Sequence, residues 1–225
     1  VEPELHEPPV QYADYAVWQR GWLRGEALES HLAYSRNQLA GAPPVLELPT
    51  DRPRPAVQTY NGANQSVELP RELVEKLREL SNREGATVYM TLLAAFKVLL
   101  SRYTGQKDIV VGTPIANRNR AETEGLIGFF VNTLVLRTDA SGGPTFGELL
   151  RRVREVCLGA YQHQDLPFEK LVEELQPERD MSHNPLFQVM FVLQNAPHEA
   201  EELPGMKMTN FVSRESTAKF DLTLN

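Results

Sequence analysis

The chain has 225 residues, of which 41% are hydrophobic, 8% aromatic and 24% charged, so it can bury a full core and fits one large domain or two small ones. Its formal net charge of −7 argues against a nucleic-acid partner, because phosphate-binding modules usually carry a clustered basic surplus. The single cysteine, Cys157, and the lack of a bilayer-spanning run or a signal peptide favour a cytoplasmic protein with no membrane association.

Hydrophobic periodicity predicts an alternation of helices and strands. The helix over 87–103 is apolar all round and is therefore expected to be buried, with Gly105 as its terminator. The predicted elements, in chain order, are helices over 12–24 and 26–40, an extended proline-rich segment over 43–55, a strand over 63–69, helices over 70–84 and 87–103, strands over 108–115 and 131–139, helices over 145–162 and 167–175, and strands over 186–194, 206–212 and 219–224. Such an alternation indicates an α/β fold, with a mixed or parallel sheet covered by helices.

One strand, 131–139, carries an amide where an apolar side chain is expected. By the period of two, Asn132 faces the same way as Leu134 and Leu136. Burying an amide is costly unless its donors and acceptor are met. Two interpretations follow: either Asn132 holds a neighbouring loop, which the strand alone favours, or it faces a ligand channel.

The residues give little support for local catalysis or metal binding. None of the five histidines forms a zinc-binding pattern, and neither a Gly-x-Ser-x-Gly elbow nor a glycine-rich phosphate loop is present. His163 and Asp165 are the best local acid–base candidates, but a histidine two residues before an aspartate at a helix end is more often a cap. Arg179 and Asp180 similarly favour a structural ion pair.

Four segments, in order, resemble motifs of nonribosomal peptide synthetase condensation domains. The first is Tyr-Ala-Asp-Tyr-Ala-Val-Trp at 12–18, and the second is Ile-Gly-Phe-Phe-Val-Asn-Thr-Leu-Val-Leu-Arg at 127–137. The third is His-Gln-Asp-Leu-Pro-Phe-Glu at 163–169, and the fourth is Arg-Asp-Met-Ser-His-Asn-Pro-Leu at 179–186. The motif residues carried over are Tyr12, Asp14, Trp18, Arg137, His163, Gln164, Asp165, Pro167, Phe168, Glu169, Arg179, Asp180, Ser182, Asn184 and Pro185. The fourth motif usually has arginine where this chain has His183.

The resemblance implies a chloramphenicol-acetyltransferase-like fold of two similar subdomains with a tunnel between them. In the family, an aminoacyl group on one carrier protein attacks the thioester of another, which forms a peptide bond. The family's His-His-x-x-x-Asp-Gly motif occurs nowhere in this sequence. The resemblance therefore implies the C-terminal, acceptor-side subdomain alone, with residues 1–10 as the linker from the N-terminal subdomain and 11–225 as an incomplete C-terminal subdomain, inactive by itself.

The resemblance also suggests residue roles. Gly128, Asn132 and Arg118 are expected at the tunnel, where the amide would orient an acyl or amine group and the glycine would allow close backbone approach. The loop over 117–124 would floor the tunnel. Arg118 and Arg137 are expected to pair with carboxylates of the missing subdomain, and Trp18 is expected to support packing.

The implied partners are the N-terminal condensation subdomain, the donor and acceptor carrier proteins and the adjacent adenylation domain. No cofactor or metal is expected on the chain itself, since the substrates arrive on the 4′-phosphopantetheine of the carriers. Two alternatives stay open. One is a non-catalytic module that binds a carrier protein, with Arg151, Arg152 and Arg154 as a candidate patch, and the other is an ester-forming, epimerising or cyclising variant of the same family.

Overall fold

The computed structural model describes residues 8–178, 180–194 and 217–225. Helices and strands alternate as predicted. The helices are α1 (Tyr12–Trp22), α2 (Gly25–Leu39), α3 (Arg71–Arg83), α4 (Val88–Thr104), α5 (Ala121–Glu124), α6 (Phe146–Gln162) and α7 (Phe168–Leu175), and the strands are β1 (Asp108–Ile115), β2 (Asn132–Asp139), β3 (Val189–Phe191) and β4 (Leu222–Leu224).

The four strands form one mixed sheet in the order β2-β1-β3-β4. β1 and β2 pair antiparallel along their whole length, from Asp108 opposite Asp139 to Ile115 opposite Asn132. β3 runs parallel to both β1 and β4. The prediction of an α/β fold with a mixed sheet covered by helices is confirmed.

One face of the sheet is covered by α4 and α6. Ile109, Val111, Leu134 and Leu136 point to this side and belong to a single core with residues of both helices. α4 begins at Thr87, whose side chain accepts a hydrogen bond from the Met90 amide at 3.2 Å, and it ends at Gly105 in the left-handed conformation. α6 begins with a capping box between its flanking threonine and a glutamate in its first turn.

The opposite face is covered by α2 and α7, which pack in a second, smaller core. Val110 and Val135, the alternate residues of β1 and β2, reach this side. Because α6 lies on one face and α7 on the other, residues 163–167 cross from one face to the other, and their hydrogen bonds to Asn132 place this crossing where β2 begins. That crossing places the third motif beside Asn132.

Several sequence predictions need correction. Residues 63–69 form no strand in the described chain, where an isolated bridge between Asn61 and Thr217 is the pairing nearest to them. A strand pattern needs a hydrogen-bonded neighbour before it becomes a strand. The predicted strand 186–194 is paired only over β3, and 219–224 only over β4, while 206–212 lies outside the described residues.

The helix predictions were wrong in smaller ways. The first helix ends at Trp22 rather than residue 24, and the predicted loop 116–124 contains the single turn α5. α4 is not buried all round, since Leu99 and Tyr103 are exposed, whereas Lys97 is fully buried. Within the described residues no single helix is long and apolar enough to cross a membrane, and α3 with α4 reaches that length only as a pair bent by 104°.

Candidate functional site

Asn132 holds the loop that crosses from α6 to α7. Its Nδ2 donates to the carbonyl oxygens of Gln164 at 2.9 Å and Leu166 at 2.8 Å. Its Oδ1 accepts from the backbone amides of Phe168 at 3.0 Å and Thr133 at 2.9 Å. Two donors and two acceptor positions are the full capacity of an amide, so the side chain, which is 8% exposed, offers no free group to a substrate. The contacts are those of the loop-holding interpretation.

The space beside this amide is also small. The cavity lined by residues at the start of β2 and by the 163–171 segment has a volume of about 30 Å³. That is room for about one water molecule, far below the several hundred Å³ of a typical ligand pocket. This cavity is therefore too small for a substrate.

Gly128 lies beneath an aromatic ring. A Cβ atom at this position would stand 2.3 Å from Cδ2 of Tyr12, so only glycine allows the ring to lie across the backbone. The Tyr12 hydroxyl donates to the carbonyl oxygen of Phe129 at 2.9 Å and pins the same segment. The close backbone approach expected at Gly128 occurs, but its partner is Tyr12.

Arg118 closes the other side of this segment. Its Nη1 donates to the carbonyl oxygens of Thr123 and of Leu126, the latter at 2.8 Å, and so caps the end of α5. The guanidinium carbon lies 4.2 Å from the centre of the Phe130 ring. Arg118 thus shapes the loop that precedes β2 through contacts within the chain.

The result is an apolar rim, which we define as Ile127, Phe129 and Val131. These side chains are 96%, 76% and 50% exposed, respectively, although Phe130 between them is 3% exposed. Phe130 packs against the rings of Tyr12 and Tyr15, with centroids 5.2 and 4.8 Å away. Packing of Phe130 therefore turns its two neighbours outward.

α1 carries the first motif as a row of stacked rings. Asp14 caps the start of the helix by accepting from the backbone amide of Gln11 at 2.9 Å. Trp18 stacks on Trp22 with centroids 5.5 Å apart, and the guanidinium carbon of Arg120 lies 4.2 Å from the Trp18 ring centre. Trp18 packs as expected, but at 37% exposure it is a surface residue of the described chain.

His163 does not pair with Asp165. Its Nδ1 lies 3.2 Å from Nδ1 of His31, while Asp165 accepts from the Asn119 side chain at 3.4 Å. Burial, followed by the proximity of His31, lowers the pKa of His163. Sequence reasoning missed His31, although its place on the apolar stripe of α2 was a signal that it would be buried.

Arg137 is paired inside the chain. Its Nε and Nη2 contact the Asp108 carboxylate, with Nη2 to Oδ2 at 2.7 Å, and its Nη1 donates to the carbonyl oxygens of Gln38 and Ala40. Hydrogen bonding to the carboxylate raises the pKa of Arg137. Within the described chain the carboxylate partner of Arg137 is Asp108, and pairing with a carboxylate of another subdomain stays a prediction.

The fourth motif folds into a tight corner. Asp180 accepts from the Ser182 amide at 2.7 Å, which lowers the pKa of its carboxyl, and lies 3.5 Å from Nε2 of His183. The Asn184 side chain donates to the Lys219 carbonyl oxygen at 2.5 Å. The Pro185 carbonyl oxygen accepts from the Phe187 amide at 2.8 Å. Arg179, and with it the predicted ion pair with Asp180, lies outside the described residues.

The remaining third-motif residues shape the start of α7. Pro167 stands just before the helix, one residue earlier than its predicted place as the first helical residue. Phe168 packs against Phe187 with centroids 5.7 Å apart, and Glu169 lies in the first turn, where a negative charge is favourable. The motif therefore serves to join α7 to the sheet.

The candidate arginine patch is largely occupied. Arg152 donates to the carbonyl oxygens of Asp139 and Ser141, and Arg154 donates to that of Gly85 at 2.9 Å.

Among the described residues, no group of three histidine, cysteine, aspartate or glutamate side chains is placed to hold a metal ion. Cys157 is fully buried, and burial raises its pKa to about 11, which keeps it a neutral thiol.

The first three motifs thus meet at the sheet end where β2 begins, whereas the fourth precedes β3, which runs parallel to β1, and lies at the opposite end. A sequence model of the condensation domain matches residues 2–225. This chain belongs to the condensation domain family. Condensation domains form peptide bonds in nonribosomal peptide synthetases, and the relatives of this one are such synthetases.

One of the linear gramicidin synthase proteins of Brevibacillus parabrevis is 62% identical over 99% of the chain, which spans 4% of that protein. Phosphinothricin tripeptide synthetase PhsC of Streptomyces viridochromogenes is 49% identical over 96% of the chain, which spans 20% of it. Each relative is thus much longer than the matched chain.

Among solved structures, the X-domain from teicoplanin biosynthesis superposes with a TM-score of 0.87 and 31% identity over 98% of this chain. The same match covers 51% of the X-domain chain. A four-domain nonribosomal peptide synthetase bound to AMP and glycine superposes with a TM-score of 0.79 over 86% of this chain, at 28% identity. This chain therefore corresponds in fold to about half of the solved X-domain chain.

Proposed function

We propose that this chain is the acceptor-side half of a condensation domain that joins two thioester-bound groups by a peptide bond. The amine nitrogen of an aminoacyl group attacks the thioester carbonyl of the donor, the carbon–sulfur bond breaks, and the thiol leaves with the proton that the amine gives up. Aligning two tethered groups supplies much of the rate enhancement of such a step. The observation that carries the proposal is the assembly of the first three motifs around one end of a sheet.

In this proposal the apolar rim receives the N-terminal half of the domain. Ile127 and Phe129 are large apolar side chains held outward by a rigid segment, an arrangement that usually marks an interface. The match to 51% of an X-domain chain supports this occupant, because it leaves about half of that chain as a second part. Gly128 and Arg118 would then be positioning residues of the tunnel floor, since both shape the rim.

Asn132 has a positioning role in the same proposal. Its amide fixes residues 164–168 and so connects the rim to α7. Residues 1–10 are the linker to the N-terminal half, and 11–225 are the C-terminal subdomain. The reaction's histidine motif belongs to that other half, so the isolated chain is inactive.

The proposed partners are donor and acceptor carrier proteins that present substrates on 4′-phosphopantetheine, together with a neighbouring adenylation domain. The relatives support this choice because they are peptide synthetases and synthases. We place the protein in the cytoplasm, where a buried, neutral thiol such as Cys157 stays reduced.

The test is a condensation assay with loaded donor and acceptor carrier proteins. The chain alone is expected to form no dipeptide product, and addition of the separately produced N-terminal half is expected to restore product formation. Phe129→Ser should weaken that restoration, whereas Val67→Ser, a change at a side chain of similar exposure elsewhere, should not. Product from the chain alone would contradict inactivity, and equal restoration by both variants would contradict docking at the rim.

A further inference from the structure

Two histidines from different helices face each other nitrogen to nitrogen. His31 lies on α2 and is 8% exposed, and His163 is the residue that ends α6. Their Nδ1 atoms are 3.2 Å apart, with the rings at 87° to each other. A hydrogen bond of this length requires one Nδ1 to donate and the other to accept, so one of the two must lack a proton at Nδ1.

The rings are held in place by aromatic neighbours. Tyr34 stacks flat on His163, with centroids 4.3 Å apart and planes 12° apart. Trp22 lies edge-on to His31, with centroids 5.9 Å apart. These contacts fix the planes of both rings.

The charges around the pair do not compensate a second proton. Within the described residues, neither His31 nor His163 forms an ion pair with a carboxylate. From α2, Arg36 pairs with Glu29 and Glu174, and from β2, Arg137 pairs with Asp108. On the loop itself Asp165 contacts Asn119. Tyr34, which stacks on His163, has a pKa raised by burial, which keeps its hydroxyl neutral.

We propose that His31 and His163 form a proton-sharing pair that acts as an acid-sensitive latch on the loop over residues 163–167. One added proton is accommodated, because an imidazolium donates to a neutral ring. A second added proton places two donors and two positive charges face to face, and the rings separate. His163 begins the loop whose carbonyls Asn132 holds, so separation strains the Asn132 contacts and loosens α7 from β2.

The direction of the pH effect follows from the pair. Burial and His31 lower the pKa of His163, so the unfolded chain binds this proton at a higher pH than the folded chain does. Stability of the loop is therefore present above the ordinary histidine pKa of about 6.5 and falls as the pH drops through the folded value. The latch is closed at neutral pH and opens in acid.

Two measurements on the 225-residue chain test the latch. The first follows the histidine ring protons by NMR from about pH 8 to about pH 5, and the second follows hydrogen exchange of the Phe168 amide, which donates to Asn132. In the unchanged chain, Phe168 protection, corrected for intrinsic exchange, should fall by about tenfold or more between neutral and acid pH. His31→Phe keeps an aromatic ring beside Trp22 and should raise the pKa of His163 and reduce the fall to about twofold or less.

His183→Asn is the matched control, since His183 has Asp180 as its partner and should leave both readouts unchanged. If His31→Phe fails to fold, His163→Phe, which retains the ring stacked on Tyr34, gives the same test through the hydrogen exchange of the Phe168 amide. An unchanged titration of His163 in the His31→Phe chain, or a pH dependence of Phe168 exchange in either variant equal to that of the unchanged chain, would overturn the latch.

Discussion

Asn132 separates two apolar stretches, of which one is buried and the other is exposed. On its C-terminal side, Leu134 and Leu136 are 6% and 0% exposed and lie in the core under α4 and α6. On its N-terminal side, Ile127 and Phe129 are mostly exposed. The two stretches have similar composition, so composition does not decide which of them is buried.

The difference lies in what covers each stretch. The strand has helices on both faces, and its amide residue completes a loop that closes the end of the sheet. The rim has no cover within the described residues, yet its backbone is pinned by Tyr12 and Arg118. A rigid, exposed apolar segment is suited to a partner surface, whereas a buried one mainly stabilises the fold. The following changes separate these two roles.

Among the hydrogen-bonding residues, the largest effect on stability is expected for Asn132→Ala. The change leaves two buried or half-buried carbonyls and the Phe168 amide without their partner, which should lower the free energy of unfolding by about 2–4 kcal/mol. Urea unfolding followed by circular dichroism measures this loss. Asn82→Ala, at an exposed position on α3, serves as the control, and a similar small change in both variants would contradict the loop-holding role.

Replacing each of two glycines by alanine compares the tightness of packing in the core with that beside the rim. A Cβ at Gly112 would stand 2.2 Å from Cε2 of Phe187, which is 2% exposed, and a Cβ at Gly128 would stand 2.3 Å from the partly exposed ring of Tyr12. Gly112→Ala should therefore destabilise the chain by about 1–3 kcal/mol, and Gly128→Ala by less, because Tyr12 can turn outward. Thermal unfolding of both variants checks the order, and an equal or reversed order would show that the rim is as tightly packed as the core.

Buried and exposed cations give a third comparison. Lys97 is fully buried, and Nζ donates to the Leu136 carbonyl and the Thr138 hydroxyl, each at 2.7 Å. Burial lowers the pKa of Lys97 to about 7. Between about pH 7 and pH 9 the unfolded chain holds a proton here that the folded chain releases, so stability gains up to about 1.4 kcal/mol per pH unit from this residue.

Lys97→Met should remove that gain, since methionine has a similar length and no charge. The measurement is the free energy of unfolding of both chains across this pH range, and the difference between them isolates Lys97 from other titrating groups. Parallel pH curves would show that Lys97 stays charged in the folded chain. Arg120→Met, which removes an exposed cation from the Trp18 ring, is the control and should leave the pH slope unchanged.

The smallest effect on the chain alone is expected at the rim. Phe129→Ala should change the free energy of unfolding by about 0.5 kcal/mol or less, because the side chain is exposed. Phe130→Ala, at the next residue, should cost about 3 kcal/mol or more, because its ring is packed between two tyrosines. Chemical denaturation of the two variants gives the comparison, and a large loss for Phe129→Ala would make the rim part of the core.

Much of the fold could be predicted from the sequence. The bounds of β1 were predicted to the residue, and the start of β2 to within one, because apolar strands bounded by charged and turn residues are locally distinctive. The end of α4 at Gly105 could be predicted because glycine readily adopts the left-handed conformation that terminates a helix, and Gly105 has that conformation. The strand at 63–69 failed because pairing requires a partner that the local pattern does not specify.

The candidate site was predicted less completely. The motifs selected candidate residues, but the contacts of Arg137, His163 and Gly128 are with Asp108, His31 and Tyr12, each far away in the sequence. A local pattern carries no information about such distant contacts. Lys97 was missed for a related reason, since a lysine in an apolar helix can reach either solvent or an internal carbonyl.

The sequence by itself determined the family, the order of most helices and strands and the two faces of β2, because these depend on local periodicity and on motifs of adjacent residues. The tertiary structure alone decided what Asn132 does. An amide on an apolar strand must find partners for all its donors and acceptors, and only the passage of residues 163–167 around the end of the sheet supplies the carbonyls and the distant amide it needs. The same passage brings His163 to His31 and leaves the rim uncovered for a partner.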